Sequence, residues 1–302
     1  MIRDQFDRVG FVLALVSVAF VQPMEAQTPS LRLLVPAYAN PCCVGGPVMW
    51  AALTDTAVVM GSDLVLILNP ASGPGASPID PNFVMPSGQG PLIDFRNAGG
   101  TVIGYVRTQW AARPMGEVLA EVDRYYDPSF WRGAGVQVQG IFFDEMSNDL
   151  ADVGYYHALR DHVRGFGPGN LVAGNPGTTF VNNPSGQGLW SVTDYANSAD
   201  ILVTYELSSA DYRSDYTPPP WLADYSADHF AHIVYAEIDT DRMLVSLGMA
   251  MQRKAGWVYI TDDVLPNPYD QLPAYWSREV DAALNLVFAD GFESGGLDAW
   301  TP

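Results

Sequence analysis

Short apolar runs recur eight times along the chain, at residues 31–39, 64–70, 101–109, 138–146, 170–177, 201–206, 230–237 and 256–263. Several are apolar on both alternating faces, which is the pattern of a strand buried on both sides in a parallel sheet. Between them lie longer amphipathic stretches, among them 115–126, 155–163, 241–254 and 275–286. Consecutive parallel strands need such crossovers. Eight β/α alternations in about 250 residues predict an α/β fold of one domain, a (β/α)8 TIM barrel over residues 27–286. A doubly wound open sheet is the rival, but it usually has fewer strands and a glycine-rich nucleotide loop. The stretch Ser72-Gly73-Pro74-Gly75 lacks that loop's spacing, and Pro78 and Pro81 follow it where a helix would begin. Thr217-Pro218-Pro219-Pro220-Trp221 reads as a loop after the sixth strand, not as a linker between domains.

Both ends of the chain depart from this pattern. Arg3 and Arg8 precede an apolar stretch, Phe11 to Val21, then Pro23 and a small residue, Ala26. This predicts an export signal over 1–26 and a secreted protein, extracellular or periplasmic, that is free of the membrane once the signal is removed. Asp4 and Asp7 dilute the positive end, and Met24 is larger than the residue usual before a cleavage site. Residues 287–302, with Asp290-Gly291-Phe292-Glu293-Ser294-Gly295, follow the last predicted helix and read as a processed or disordered tail.

Of the 302 residues, 48% are hydrophobic and only 16% charged, a composition for a compact core and not for disorder. Acidic residues outnumber basic ones 34 to 15, giving a formal charge of −19. That excess repels phosphate backbones and anionic membranes, so nucleic acid is excluded as a partner and a neutral or cationic substrate fits better. The two cysteines, Cys42 and Cys43, are adjacent. Adjacent cysteines rarely bridge each other, so small residues filling a loop under the barrel rim is the leading reading; a vicinal disulfide, free thiols and an intermolecular bridge stay open. No partner Cys or His stands at zinc-ligand spacing, and no metal or other cofactor is expected.

Polar groups fall repeatedly at the carboxyl ends of the predicted strands, which in a barrel converge on one mouth. Tyr38 and Asn40 end the first, Asn69 the second, and Tyr105, Arg107 and Gln109 the third. Asp144 and Glu145 end the fourth, Asn175 the fifth, Tyr205 and Glu206 the sixth, Glu237 the seventh, and Asp262 with Asp263 the eighth. Any one of these could be a turn residue, as Asn69-Pro70 and Asn175-Pro176 suggest. Their coincidence favours a site where carboxylates do acid/base work and where tyrosines and amides hold a sugar. Two adjacent acids at the end of an apolar strand cost desolvation and mutual repulsion, which argues for a use. Along an ideal strand Asp144 and Glu145 face opposite sides, so both reach the mouth only if the strand end twists or bulges.

Several of these blocks together carry a resemblance. Val35-Pro36-Ala37-Tyr38, Asn69-Pro70-Ala71-Ser72-Gly73-Pro74-Gly75, Gly104-Tyr105-Val106-Arg107-Thr108, Phe142-Phe143-Asp144-Glu145 and Gly174-Asn175-Pro176-Gly177 occur in this order. The chain resembles the spherulin-4 (spherulation-specific) family across the whole predicted barrel. That resemblance implies a (β/α)8 glycoside hydrolase, similar to endo-α-1,4-polygalactosaminidases, acting on α-1,4-linked galactosamine and N-acetylgalactosamine polymers such as galactosaminogalactan. It also implies Asp144, Glu145 and Glu206 as the catalytic acids. Tyr38, Asn69, Tyr105, Arg107, Asn175, Tyr205, Glu237 and Asp262 are then expected to bind substrate. Glu145 is expected as proton donor and Asp144 as stabiliser, with Glu206 positioning substrate or water and, for an N-acetylated sugar, its own acetamido group as the alternative nucleophile.

The expected partner is thus a polysaccharide, met by a monomer. A catalytically silent carbohydrate-binding or matrix protein on the same barrel is the alternative. A hydrolase holding Mg²⁺ or Ca²⁺ on its acid ring is a third reading. Its histidines do not support it: His157 and His162 read as helix-surface residues, and His229 and His232 precede or open the seventh strand, at the wrong end.

Overall fold

In the computed structural model, residues 31–43, 45–183, 190–214 and 216–285 are described. The expected signal, 1–26, and tail, 287–302, lie outside them. Eight parallel strands, β1 (Arg32–Ala37), β2 (Leu64–Leu68), β3 (Thr101–Arg107), β4 (Gly140–Asp144), β5 (Leu171–Gly174), β6 (Ile201–Ser208), β7 (Phe230–Tyr235) and β8 (Trp257–Ile260), pair in sequence order and close, β8 on β1. This is the expected TIM barrel. The crossovers carry α1 (Gly46–Met60), α2 (Pro91–Asn97), α3 (Met115–Tyr126), α4 (Val153–Phe166), α5 (Val192–Ala196), α6 (Ser209–Ser214) and α7 (Thr240–Gln252), with α8 (Trp276–Asn285) after β8.

The apolar runs form strands because both of their faces are covered. Leu64 to Leu68 are all buried, alternating between the barrel interior and the helix layer. The helix layer approaches closely at Gly104 of β3, where a Cβ would stand 2.6 Å from the Tyr125 ring. The Tyr125 hydroxyl uses that proximity to donate to the Tyr105 and Leu68 carbonyls, pinning α3 to β2 and β3.

Two irregularities of the scaffold sit on β6 and beneath β8. Between β6 and β7 the register slips by one residue, Val203 pairing with Ala231 and Tyr205 with His232, so Thr204 is extra. A one-residue slip exchanges the faces of every later side chain in the strand. On α8, Glu279 is wholly buried, and one of its carboxyl oxygens accepts the Ile260 N–H at the end of β8 at 2.8 Å.

Cys42 and Cys43 are joined as a vicinal disulfide on the β1–α1 loop, one of the alternatives left open by the sequence. Both are exposed at the rim and do not pack beneath it. Among the described residues, no helix is long and apolar enough to cross a membrane.

Candidate active site

Asp144 ends β4 on the same side as Phe142, and its partner across the ladder is Arg107 of β3. Both therefore face the barrel interior. One Asp144 oxygen accepts the Tyr105 hydroxyl at 2.6 Å, and the other accepts Asn175 Nδ2 at 2.8 Å. The same Asn175 nitrogen donates to Glu206 Oε2 at 2.5 Å, and Glu206 Oε1 accepts the Tyr269 hydroxyl at 2.6 Å. Five side chains thus form one continuous chain, with the amide of Asn175 bridging two carboxyl groups. Asn175 is buried, and its own Oδ1 has no partner.

Glu206 reaches this chain because Thr204 is bulged out of the ladder. Ile201 pairs with Ala173 and so shares a face with Val203, and unbroken alternation would carry Tyr205 inward with them. After the slip, Glu206 pairs with Ile233 and turns inward. Tyr205 instead packs between the strand and α6, its ring 4.6 Å from that of Tyr212, and its hydroxyl donates to the Ser208 carbonyl. His232 lies in the same outer layer, with its ring nitrogens at the hydroxyls of Tyr212 and Tyr216. Burial holds its imidazole down at about 3, so it stays neutral.

Glu145 escapes strict alternation by a different device, a left-handed backbone with φ 51°. Opposite it, Gln109, Trp110 and Ala111 are also left-handed, at 51°, 52° and 64°. Trp110 N–H donates to the Glu145 carbonyl at 2.6 Å, and Thr108 Oγ1 lies 2.9 and 2.8 Å from the carbonyls of Asp144 and Glu145. The Glu145 carboxylate turns to Arg107, whose Nε stands 3.0 Å away.

The two glutamates differ in surroundings. Burial pushes the Glu206 carboxyl up, the charge of Asp144 adds to this, and the donors Tyr269 and Asn175 oppose it. Burial also pushes Glu145 up, but the Arg107 guanidinium works against it. Tyr38, Tyr105 and Tyr269 are raised, first by burial and then by the neighbouring acids, so they remain protonated donors. Their rings meet edge to face, Tyr38 standing 5.7 Å from Tyr105 and 5.5 Å from Tyr269.

A cavity of about 630 Å³ opens beside Glu206, walled by Tyr38, Asn69, Ser72, Tyr235, Leu265 and Tyr269 among others. Asn69 holds its own wall in shape, its side-chain oxygen accepting the Gly73 N–H at 3.0 Å. Among the expected site residues, Tyr38, Asn69 and Glu206 line this cavity, Tyr105, Asp144 and Asn175 form the polar chain, and Arg107 and Glu145 flank it.

Three expected residues stand elsewhere. Tyr205 faces the helix layer because the extra Thr204 turns it outward. Glu237 lies past the end of β7, where Ala236 turns at φ 60°, and its carboxylate is buried against Arg213 and Ser246. Asp262 accepts the Ala274 N–H at 3.1 Å and caps a loop. Two tyrosines of the cavity were not foreseen. Tyr235 shares the interior face of β7 with Ile233, so an alternation count from Ile233 would have found it. Tyr269 sits on the loop after β8, where no periodic signal exists. Among the described residues, no group of three His, Cys, Asp or Glu side chains could hold a metal ion.

The sequence profile of spherulation-specific family 4 matches residues 32–283. Spherulin-4 of Physarum polycephalum is 25% identical over 283 residues, spanning 91% of this chain and 77% of that protein. The crystal structure of Aspergillus clavatus Sph3 in complex with GalNAc superposes with a TM-score of 0.64 at 24% identity, covering 85% of this chain and 98% of that one. A chitinase from Chromobacterium violaceum shares the barrel at a TM-score of 0.51 and 11% identity, over 84% of this chain and 99% of its own. The profile match spans the whole barrel, and the chain belongs to spherulation-specific family 4.

Proposed function

We propose that this protein is a secreted, endo-acting glycoside hydrolase that cleaves α-1,4-linked galactosamine and N-acetylgalactosamine polysaccharide. The observation that carries the reading is the Asn175 amide bridging Asp144 and Glu206 beside an open cavity. Glycoside hydrolysis needs one protonated carboxyl for the leaving oxygen and one ionised partner at the anomeric carbon. Burial and the charge of Asp144 favour the protonated form of Glu206, which suits it to give the proton. That role passes to Glu206 from Glu145, whose carboxylate is engaged by Arg107. Asp144 faces the anomeric carbon as nucleophile, or orients the 2-acetamido oxygen of an N-acetylated sugar that takes its place.

Two bonds of 2.8 and 2.5 Å that share one nitrogen leave the bridged oxygens at most about 5.3 Å apart. Retaining glycosidases hold their carboxyl groups about 5–5.5 Å apart and inverting ones about 6.5–9.5 Å, the larger gap admitting a water. The bound falls short of the inverting gap, which supports a double displacement with net retention. The substrate class is supported by the family and by the GalNAc found in the Sph3 structure. The acidic surface, with its net charge of −19, suits a cationic, partly deacetylated amino-sugar polymer. Export through residues 1–26 and action as a monomer, without cofactor, complete the proposal.

The test is incubation of the purified protein with partially deacetylated galactosaminogalactan, with products read by mass spectrometry and their first-formed anomer by NMR. Asp144→Asn and Glu206→Gln should each lower release by roughly 10²- to 10⁴-fold. Release that persists near the wild-type rate in both variants would remove the acid assignment, and an inverted first product would remove the double displacement.

A further inference from the structure

Trp110 is 64% exposed, on the β3–α3 loop at the mouth of the barrel. An indole left in water beside a polar centre forgoes burial, and here it is also held in a costly backbone conformation. Three consecutive residues other than glycine, Gln109 to Ala111, take positive φ, a region that a bulky side chain rarely enters. The surroundings over-determine that conformation. Trp110 N–H is fixed to the Glu145 carbonyl, Ala112 N–H to the Gln109 carbonyl, and Arg113 N–H to the Thr108 carbonyl. Strain maintained this way is characteristic of sites that present a group to a ligand.

The position of the indole gives it a distinct task. The large cavity is walled by β1, β2, β6, β7 and the loop after β8, and Trp110 is not among its lining residues. It stands instead on the β3–β4 side, tied through its backbone to Glu145 after β4. We propose that Trp110 is the stacking platform of a second sugar-binding subsite, across the acids from the cavity. A pyranose ring presents a face of C–H groups that packs on an aromatic surface while its hydroxyls reach polar neighbours. The Arg107–Glu145 pair supplies those neighbours, a donor and an acceptor on the strand ends to which the Trp110 backbone is tied through the Glu145 carbonyl. Occupied subsites on both sides of Asp144 and Glu206 require a polymer that runs across the mouth, so cleavage falls at internal bonds. The inference rests on the reading of the acids as a glycan-cleaving centre and adds the part of the chain that the cavity does not hold.

The experiment measures kcat and KM on partly N-acetylated α-1,4-galactosamine oligosaccharides of graded length, for wild type, Trp110→Tyr and Trp110→Asn. Asparagine accepts positive φ and offers no aromatic face, so the loop is kept while the platform is removed. The expected result for Trp110→Asn is a loss of roughly tenfold or more in kcat/KM on long oligosaccharides, carried by KM. The shortest cleavable one should be processed as by wild type, and Trp110→Tyr should retain most of the activity. Equal loss at every length, or none, overturns the subsite, and matched thermal melting of the variants excludes misfolding as the cause. If wild type releases nothing, calorimetric titration with the same oligosaccharides separates the two claims. Binding that weakens in Trp110→Asn keeps the subsite and removes hydrolysis, whereas binding that is absent or unchanged removes the subsite.

Discussion

Replacing Glu279 with glutamine should make the fold insensitive to a pH change that weakens the wild type. The Glu279 carboxyl is wholly buried under β8; one oxygen accepts the Ile260 N–H and the other has no partner. Burial, opposed by that hydrogen bond and reinforced by Asp262, pushes it from the ordinary 4.5 up to about 8. Above pH 4.5 the unfolded chain releases this proton while the folded chain keeps it. The contribution to stability is therefore full below 4.5 and declines as pH rises toward 8. Each tenfold difference in proton affinity between the folded and unfolded chains is worth about 1.4 kcal/mol, so the wild type should lose about 3 to 4 kcal/mol between pH 5 and pH 8 through this group alone. That is a large fraction of the roughly 5–15 kcal/mol that hold a domain together. Glutamine keeps an acceptor for Ile260 and has nothing to ionise. Urea unfolding of both proteins at pH 5 and pH 8 supplies the readout, because the difference between them cancels every other titrating group. A gap that widens by several kcal/mol in favour of the variant supports the reasoning. A gap equal at both pH values refutes it.

Two further outcomes concern the site and its frame. Tyr269→Phe removes the hydroxyl that donates to Glu206 Oε1, a bond that favours the ionised carboxylate. The limb of the pH–rate profile that reports Glu206 should therefore move to higher pH, and an unmoved limb would place that titration on another group. Gly104→Ala puts a Cβ 2.6 Å from the Tyr125 ring, and the overlap should cost about 1–3 kcal/mol in chemical denaturation. An unchanged midpoint would show that α3 can withdraw without loss.

The strands were readable because burial on both faces leaves their middles largely apolar, and all eight overlap the expected segments. Helix α1 was harder, since Val48, Val58 and Val59 are exposed on an already apolar helix and blur its amphipathic stripe. The acids divide in the same way. Asp144 follows from simple alternation along β4, whose interior face it shares with Phe142. Alternation along β6, counted from Ile201, would have chosen Tyr205 over Glu206; the glutamate was legible from its place at the carboxyl end of the strand and from the family motif. Local patterns do not announce an extra residue whose effect is expressed through pairing with the next strand. Glu237 was misplaced for a related reason: β7 ends two residues earlier, and Ala236 redirects the backbone. Tyr269 belongs to a loop whose position is set by closure of the barrel, a long-range event with no signature in the neighbouring residues.

The extra residue in β6 separates two properties that usually travel together. The folded barrel needs eight strands with apolar faces, and it would have them with Thr204 bulged or paired. The chemistry needs Thr204 to stay out of the ladder, because regular pairing through it would present a tyrosine where the acid now stands. Glu206 can therefore be retained in the sequence and still be lost to the site. Among proteins built on this barrel, the pairing of one strand is as informative about activity as the identity of the acid it carries.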